Sequence, residues 1–219
     1  HTYTHSGLFQ VSVEVSDMKG GKVQLTTSVD VNAELGTWTQ PSSGTTEDFS
    51  DGAANGLRAV AVSTAGLVAH STDGETWTLL DLLAQQGVNA LQLHDVHSEY
   101  GTFIAAGRER ALSGDPWQGC IYRSTDGANW TRTHLGGALL YAMERTGARW
   151  VVTGENETML QSLDDGLTWT SVAFPTSDHI QAIAFGNGVF LAMADRGHDR
   201  TYAFTSPALV NWTEQTCAA

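Results

Sequence analysis

The stretch SLDDGLTW, residues 162–169, sets a serine, an aspartate pair, a glycine and a tryptophan in an order that closes a tight polar turn and opens a strand. Ser162 and Asp164 suit hydrogen bonds to backbone groups of the turn, Gly166 tolerates a left-handed conformation, and Trp169 is large enough to anchor the turn to a core. Relatives of the stretch recur. STDGETW (71–77) and STDGANW (124–130) are one residue shorter, SPALVNW (206–212) keeps the serine and the tryptophan without the aspartate, and SVDVNAELGTW (28–38) spreads Ser28, Asp30, Gly36 and Trp38 over a longer loop. Ser71, Asp73, Ser124, Asp126, Ser162 and Asp164 therefore read as turn-makers.

The tryptophans Trp38, Trp77, Trp130, Trp169 and Trp212 stand 39, 53, 39 and 43 residues apart. A four-stranded propeller blade takes about 40–45 residues, so one such turn and tryptophan per blade fits. The segments between them align as strands a to d. The clearest unit runs HIQAIAFG (179–186), NGVFLAMAD (187–195), RTYAFTS (200–206) and NWTEQT (211–216). The unit before it repeats the pattern as ALLYAMERTG, ARWVVTGEN, TMLQS and LTWTSV. The one before that repeats it as VNALQLHDV, GTFIAAGRE, CIYRS and NWTRTHL. The 53-residue interval is assigned to about ten extra residues around RALSGDPWQG (110–119). The unit at 44–81 opens on a weak, polar first strand. In the first unit GLFQVSVEVSD and KVQLTTSVD align with strands b and c and GTWTQ with d; strand a is residues 1–5, is supplied elsewhere, or belongs to an upstream piece. The expected blades are approximately 1–40, 41–81, 82–135, 136–173 and 174–219, forming one domain.

Composition agrees. Glycine is abundant, Pro is scarce, apolar residues make up 41%, and no long run of helical period is present, a balance that leans to all-β. Lysine occurs only at Lys19 and Lys22, and 11 basic against 24 acidic residues leave a net charge of −13. Such a surface repels phosphate backbones and argues against nucleic acid as a partner. No apolar run reaches the ~18 residues of a membrane span. Cys120 and Cys217 permit one disulfide without requiring it. The chain opens on His1 with no signal-peptide pattern, as a processed mature chain or part of a longer one would.

With these boxes and units in view, the chain resembles the Asp-box (BNR-repeat) β-propellers of secreted bacterial and phage-encoded proteins. SLDDGLTW matches the length of the family's box and the two STDG turns match its short form. The resemblance covers nearly the whole chain and implies a five-bladed, all-β propeller with four-stranded antiparallel blades. It places the boxes on outer turns between strands c and d, away from the axial channel where propeller enzymes hold their chemistry. The family contains sialidases, other glycosidases, sorting receptors, photosystem assembly factors and structural proteins, so the fold leaves the function open.

The residues narrow the choice. Sialidase chemistry needs an arginine triad on a carboxylate, a Tyr–Glu nucleophile pair and an acid/base aspartate, yet the family's early Arg-Ile-Pro motif is missing. A five-bladed glycosidase needs carboxylates converging on the axis, and the inferred a strands offer Asp48, Asp51, Asp95 and Glu144. HDVHSEY (94–100) gathers His94, Asp95, His97 and Glu99, but on a regular strand residues 94 and 97 point to opposite faces, and the stretch reads as a polar a–b turn. One or two carboxylates per box fall short of the oxygens calcium takes. No metal and no cofactor is expected. Arg108 and Arg110 beside the 110–119 insertion, with Trp117 inside it, form the most individual feature, suited to a sugar or a protein partner; Asp95 and Glu144 complete the candidate binding residues.

The expected function is a non-catalytic structural or recognition module, extracellular or in a virion, whose partners are proteins of a larger assembly and glycan, with no membrane insertion. A glycoside hydrolase with axial carboxylates and an assembly factor holding a protein across one face are the alternatives.

Overall fold

The computed structural model describes residues 7–16, 22–31, 45–56, 58–195 and 201–215. The chain forms two compact units, His1–Gln40 and Pro41–Ala219. In the first, β1 (Gly7–Ser16) and β2 (Lys22–Val31) pair antiparallel, from Gly7 opposite Val31 to Ser16 opposite Lys22. These are the segments read above as strands b and c. Trp38 and Cys217 lie outside the described residues.

The second unit holds four four-stranded antiparallel sheets, each laid down in chain order. The first sheet is β3 (Phe49–Ala54), β4 (Ala59–Ser63), β5 (Leu67–Ser71) and β6 (Thr78–Asp81). A short helix, α1 (Leu82–Gln86), leads to the second: β7 (Ala90–Glu99), β8 (Thr102–Arg110), β9 (Gln118–Ser124) and β10 (Thr131–Leu135). The third is β11 (Leu140–Thr146), β12 (Arg149–Gly154), β13 (Met159–Ser162) and β14 (Thr170–Ser171), and the fourth is β15 (His179–Gly186), β16 (Val189–Asp195), β17 (Thr201–Ser206) and β18 (Thr213–Gln215). The leading strands stand side by side, β3 by β7, β7 by β11 and β11 by β15. This is the architecture of β-propeller blades, and the run of sheets is not closed.

Burial follows from this stacking. Sheets two and three have neighbours on both faces, so TFIAAG in β8 and RWVVTG in β12 are almost wholly buried and read as continuous apolar runs. In β16 of the fourth sheet buried and less buried residues alternate, as in a strand with one covered face. Three cores result. Val60, Val62 and Val68 meet Leu91, Leu93, Phe103 and Tyr122 between sheets one and two. Ile104 and Ile121 meet Leu140, Trp150 and Val152 between two and three, and Val151 and Met159 meet Ile180, Phe190 and Phe204 between three and four. Each fully buried side chain of this size contributes about 1.5–3 kcal/mol.

Two features depart from the expected layout. Helix α1 was not anticipated; Asp81 caps its start by accepting from the Ala84 amide at 2.9 Å, and Gly87, at φ 66°, ends it. The long 77–130 interval is therefore not all surface insertion: α1 and the longer hairpin β7–β8 share it with the loop before β9. Each leading strand also carries one register shift, between Phe49 and Asp51, Leu93 and Asp95, Leu140 and Ala142, and Ile180 and Ala182. Ser50, His94, Tyr141 and Gln181 are the extra residues. A β-bulge at the same place in every sheet re-aims the side chains that follow it.

Candidate functional site

The box turns join the third and fourth strands of each sheet. In the first, the Ser71 hydroxyl accepts from Gly74 N at 2.9 Å and donates to Asp73 Oδ1 at 2.9 Å, while that oxygen accepts from the Glu75 and Thr76 amides at 2.9 and 2.7 Å. Ser124 and Asp126 repeat this with Gly127, Ala128 and Asn129, and Ser162 and Asp164 with Gly166 and Thr168. Backbone amides hold Asp73 down at about 2, and the side chain and amide of Thr168 hold Asp164 at about 2. Burial alone would raise Asp126, but bonds from Asn129, Ala128 and Ser124 outweigh it and keep it well below the ordinary range.

The tryptophans do unequal work. Trp77 and Trp130 donate to the carbonyls of Gly74 and Gly127 in their own turns, at 3.2 and 3.0 Å. Trp169 reaches Thr133 of the second sheet at 3.1 Å, whereas Trp212 packs on Phe174 at 5.2 Å with its Nε1 buried and without an acceptor. The longer box also gains a tie between sheets. Its extra residue Asp165, at φ 61°, accepts from Arg123 of β9 at 2.7 Å and from Thr102 of β8 at 2.6 Å. Arg145, only 6% exposed, lies 3.7 Å from its other oxygen.

The leading strands carry a row of carboxylates. Asp51 Oδ2 accepts from the Val96 amide of the next sheet at 2.8 Å, Asp95 Oδ2 from the Met143 amide at 2.7 Å, and Glu144 Oε2 from the Phe185 amide at 3.1 Å. At each of these three junctions a side-chain carboxylate of one sheet thereby accepts from a backbone amide of the next. Asp51 and Asp95 follow equivalent bulges; the third sheet has Ala142 there, and Glu144, two residues on, takes the role. Burial, then a hydrogen bond that the Asp95 proton makes to Asp51, push Asp95 up to about 7, against the opposing Met143 bond, with the charges of Asp51 and Glu144 adding to the rise. Asp48 is exposed and precedes β3, outside the row.

The bulge overturns the expected geometry of HDVHSEY. The stretch lies in strand β7 apart from Tyr100, not in a turn, and the inserted residue brings 94 and 97 toward the same neighbour. His94 meets Tyr141 edge-on at 6.2 Å, and His97 meets Trp150 at 5.8 Å, both in the third sheet. Among the described residues no group of three or more His, Cys, Asp or Glu is arranged to hold a metal.

Arg108 and Arg110, two apart on one face of β8, both lie against Trp117, with guanidinium carbons 4.7 and 5.1 Å from the ring centroid. Arg108 Nε donates to Gln92 at 2.6 Å, and Tyr141 donates to Glu155 at 2.6 Å. No hydrogen bond or ion pair joins these arginines to Asp95 or Glu144, so the candidate binding residues fall into two groups. Burial, then the charge of Arg108, lowers His94; burial and the Glu155 bond push Tyr141 up to about 12.

A Tyr–Glu pair is present, but not at the axis. Glu109, 1% exposed on β8, accepts from Tyr122 and pairs with Arg132 inside the second sheet. Burial and the Glu109 bond raise Tyr122 far above its ordinary range, so it stays a phenol. Cys120 beside them is a buried free thiol, itself pushed up by burial and by Glu109. Two clefts of about 790 and 290 Å³ flank the third sheet, lined in the one by His134, Asn156 and Phe174 and in the other by Arg149 and Leu209; neither touches the carboxylate row. Sequence reasoning passed over Gly107 and Gly154, although both follow the b-strand runs FIAA and WVVT. A Cβ on either would fall 2.0 Å from a backbone oxygen of the adjoining leading segment.

No family model matches the chain, and no curated protein matches it. Among solved structures, YCF48 bound to D1 peptide is similar at 16% identity and TM-score 0.54, over 86% of this chain and 60% of that one. YCF48 from Cyanidioschyzon merolae is similar at 18% identity and TM-score 0.54, over 74% and 53%. The Niastella koreensis GH74 enzyme aligns at 16% identity and TM-score 0.47, over 93% and 30%. The chain thus spans 53–60% of the length of the two YCF48 chains. No helix among the described residues is long and apolar enough to cross a membrane. What the chain shares with the two YCF48 structures is the β-propeller fold.

Proposed function

We propose that the protein is a non-catalytic β-propeller recognition module, secreted or part of a virion, that holds a protein or glycan partner of a larger assembly. We propose five blades for it, with residues 1–40 as the first and the tryptophan turns as structural anchors. The observation that carries the functional reading is the use of Asp51, Asp95 and Glu144 as acceptors for backbone amides of the next sheet. A glycosidase keeps two carboxyl groups about 5–9.5 Å apart, with a sugar or water between them. Here one oxygen of each carboxyl group is instead taken up by a backbone amide of the next sheet. A propeller can also serve as a peptide platform, as in the YCF48 structure with D1 peptide.

The raised Asp95 supports a second reading, because a carboxyl group protonated near neutrality is what a general acid requires. A panel of chromogenic glycosides and a pull-down from host extract, run on wild type, Asp95→Asn and Glu144→Gln, separates the two. The recognition reading expects no hydrolysis by any of the three and the same captured partners from all. Hydrolysis by wild type that falls about 100-fold or more in Asp95→Asn would establish the glycosidase.

A further inference from the structure

We propose that Arg108 and Arg110, held against Trp117 at the end of β8, form a binding site for a carboxylate group. Neither guanidinium has a carboxylate within ion-pair distance among the described residues, although acidic residues outnumber basic ones 24 to 11 in this chain. Arginines without an anion among the described residues of so acidic a protein call for a specific cause. Arg110 Nε is buried and has no acceptor, and a buried charged donor left unmade is costly. A ligand oxygen would supply the missing acceptor.

The supporting parts are built for this. Trp117 offers a ring to both guanidiniums, which fixes them at neighbouring positions. Gln92 orients Arg108 through its Nε and leaves the terminal nitrogens for a ligand. All three residues are half-buried, and the loop in front of Trp117 is exposed from Ala111 to Gly114, so the site is open to solvent. The loop is shaped by its own turn: Asp115 accepts from the Leu112 amide at 3.0 Å, and Leu112 O accepts from the Asp115 amide at 3.2 Å.

The local charge selects the anion. Tyr141, which donates to Glu155, lies within the field of Arg108. Two guanidiniums held side by side on Trp117 present positive charge to an anion. The planar fork of arginine matches the two oxygens of a carboxylate.

The proposal rests on the recognition reading and is tested separately from it. The full chain is titrated by calorimetry, at low and moderate salt, with penta-glutamate, with tri-galacturonate, with its methyl ester and with inorganic phosphate. At least one carboxylated probe is expected to bind, the ester is not, and the peptide and saccharide arms tell which carrier is preferred. Affinity is expected to fall about tenfold or more in Arg108→Gln and Arg110→Gln, and less in Arg110→Lys, which keeps the charge and loses the fork. Unfolding curves of each variant guard against misfolding, and Arg110→Lys still reads the site if a glutamine variant does not fold. Failure of both carboxylated probes, binding unchanged in the double glutamine variant, or tighter binding of phosphate than of either probe would overturn the site. Those outcomes leave the recognition module standing, whereas Asp95-dependent hydrolysis removes the module without deciding the site.

Discussion

Gly107→Ala is expected to destabilise the protein by at least about 3 kcal/mol, a fall in Tm of roughly 6–12 °C for a chain of this size. The added Cβ would sit 2.0 Å from the carbonyl oxygen of Gln92 and 2.9 Å from Leu93 Cα. Both are backbone atoms, and the bulge that follows Leu93 fixes them in place. No rotamer change relieves such a contact, so strands β7 and β8 must part. They part where Asp95 enters its bond to the third sheet, and the damage spreads to that junction. Gly154, with Leu139 O at the same 2.0 Å, should behave alike. Gly186→Ala is the control. Its Cβ meets nothing within 4 Å, and its effect should stay within about 1 kcal/mol, of either sign. Urea unfolding of the three variants checks the ranking; wild-type stability in Gly107→Ala would show that the hairpin is not packed as described.

The second large effect concerns Asp95→Asn, which should raise stability at pH 8 by on the order of 2 kcal/mol and change it little near pH 4. The native Asp95 carboxyl holds its proton up to about 7, above its ordinary 3.8, because it is buried and bonded to Asp51. Between those values the native state binds a proton that the unfolded chain has released. Stability therefore falls as pH rises through the window, and the loss is complete above about 7. An asparagine keeps the geometry without the proton: its oxygen can accept from the Met143 amide and its NH2 can donate to Asp51. The difference between variant and wild type should open between pH 4 and 7 and then level off. Urea denaturation at pH 4.5, 6 and 8 measures it. A variant less stable than wild type at pH 8 would mean that the Asp95 charge itself is needed, as in a catalytic or ligand-binding role.

The two effects bear on what a sequence can reveal. The sheets were legible because their strands recur in similar units punctuated by serine, aspartate, glycine and tryptophan, and the serine and aspartate of a box bond within four positions of themselves. Ser124, Asp126 and Gly127 bond as a local turn should. The bulges were not legible, since a bulge is a property of pairing between strands and no residue in LHDV or LYAM announces it. That is why His94 and His97, expected on opposite faces, both reach the third sheet. The carboxylate row was half legible: Asp51, Asp95 and Glu144 were singled out as axial groups, but their amide partners lie 41 to 48 residues away, and only the stacking of sheets makes them meet. Helix α1 has both its caps in the sequence, Asp81 and Gly87, and escaped notice because it is a single turn and a half. The trio of buried Glu109 and Tyr122 with the more exposed Arg132 had no local signal at all.

The central claim is that the inner carboxylates tie sheet to sheet rather than perform chemistry. Hydrogen exchange at the Met143 amide tests it most directly, followed in wild type, Asp95→Asn and Asp95→Ala. Protection close to that of the core in wild type and Asp95→Asn, with a loss of at least about tenfold in Asp95→Ala, is the predicted result. A Met143 amide that exchanges at the same rate in Asp95→Ala as in wild type would contradict it.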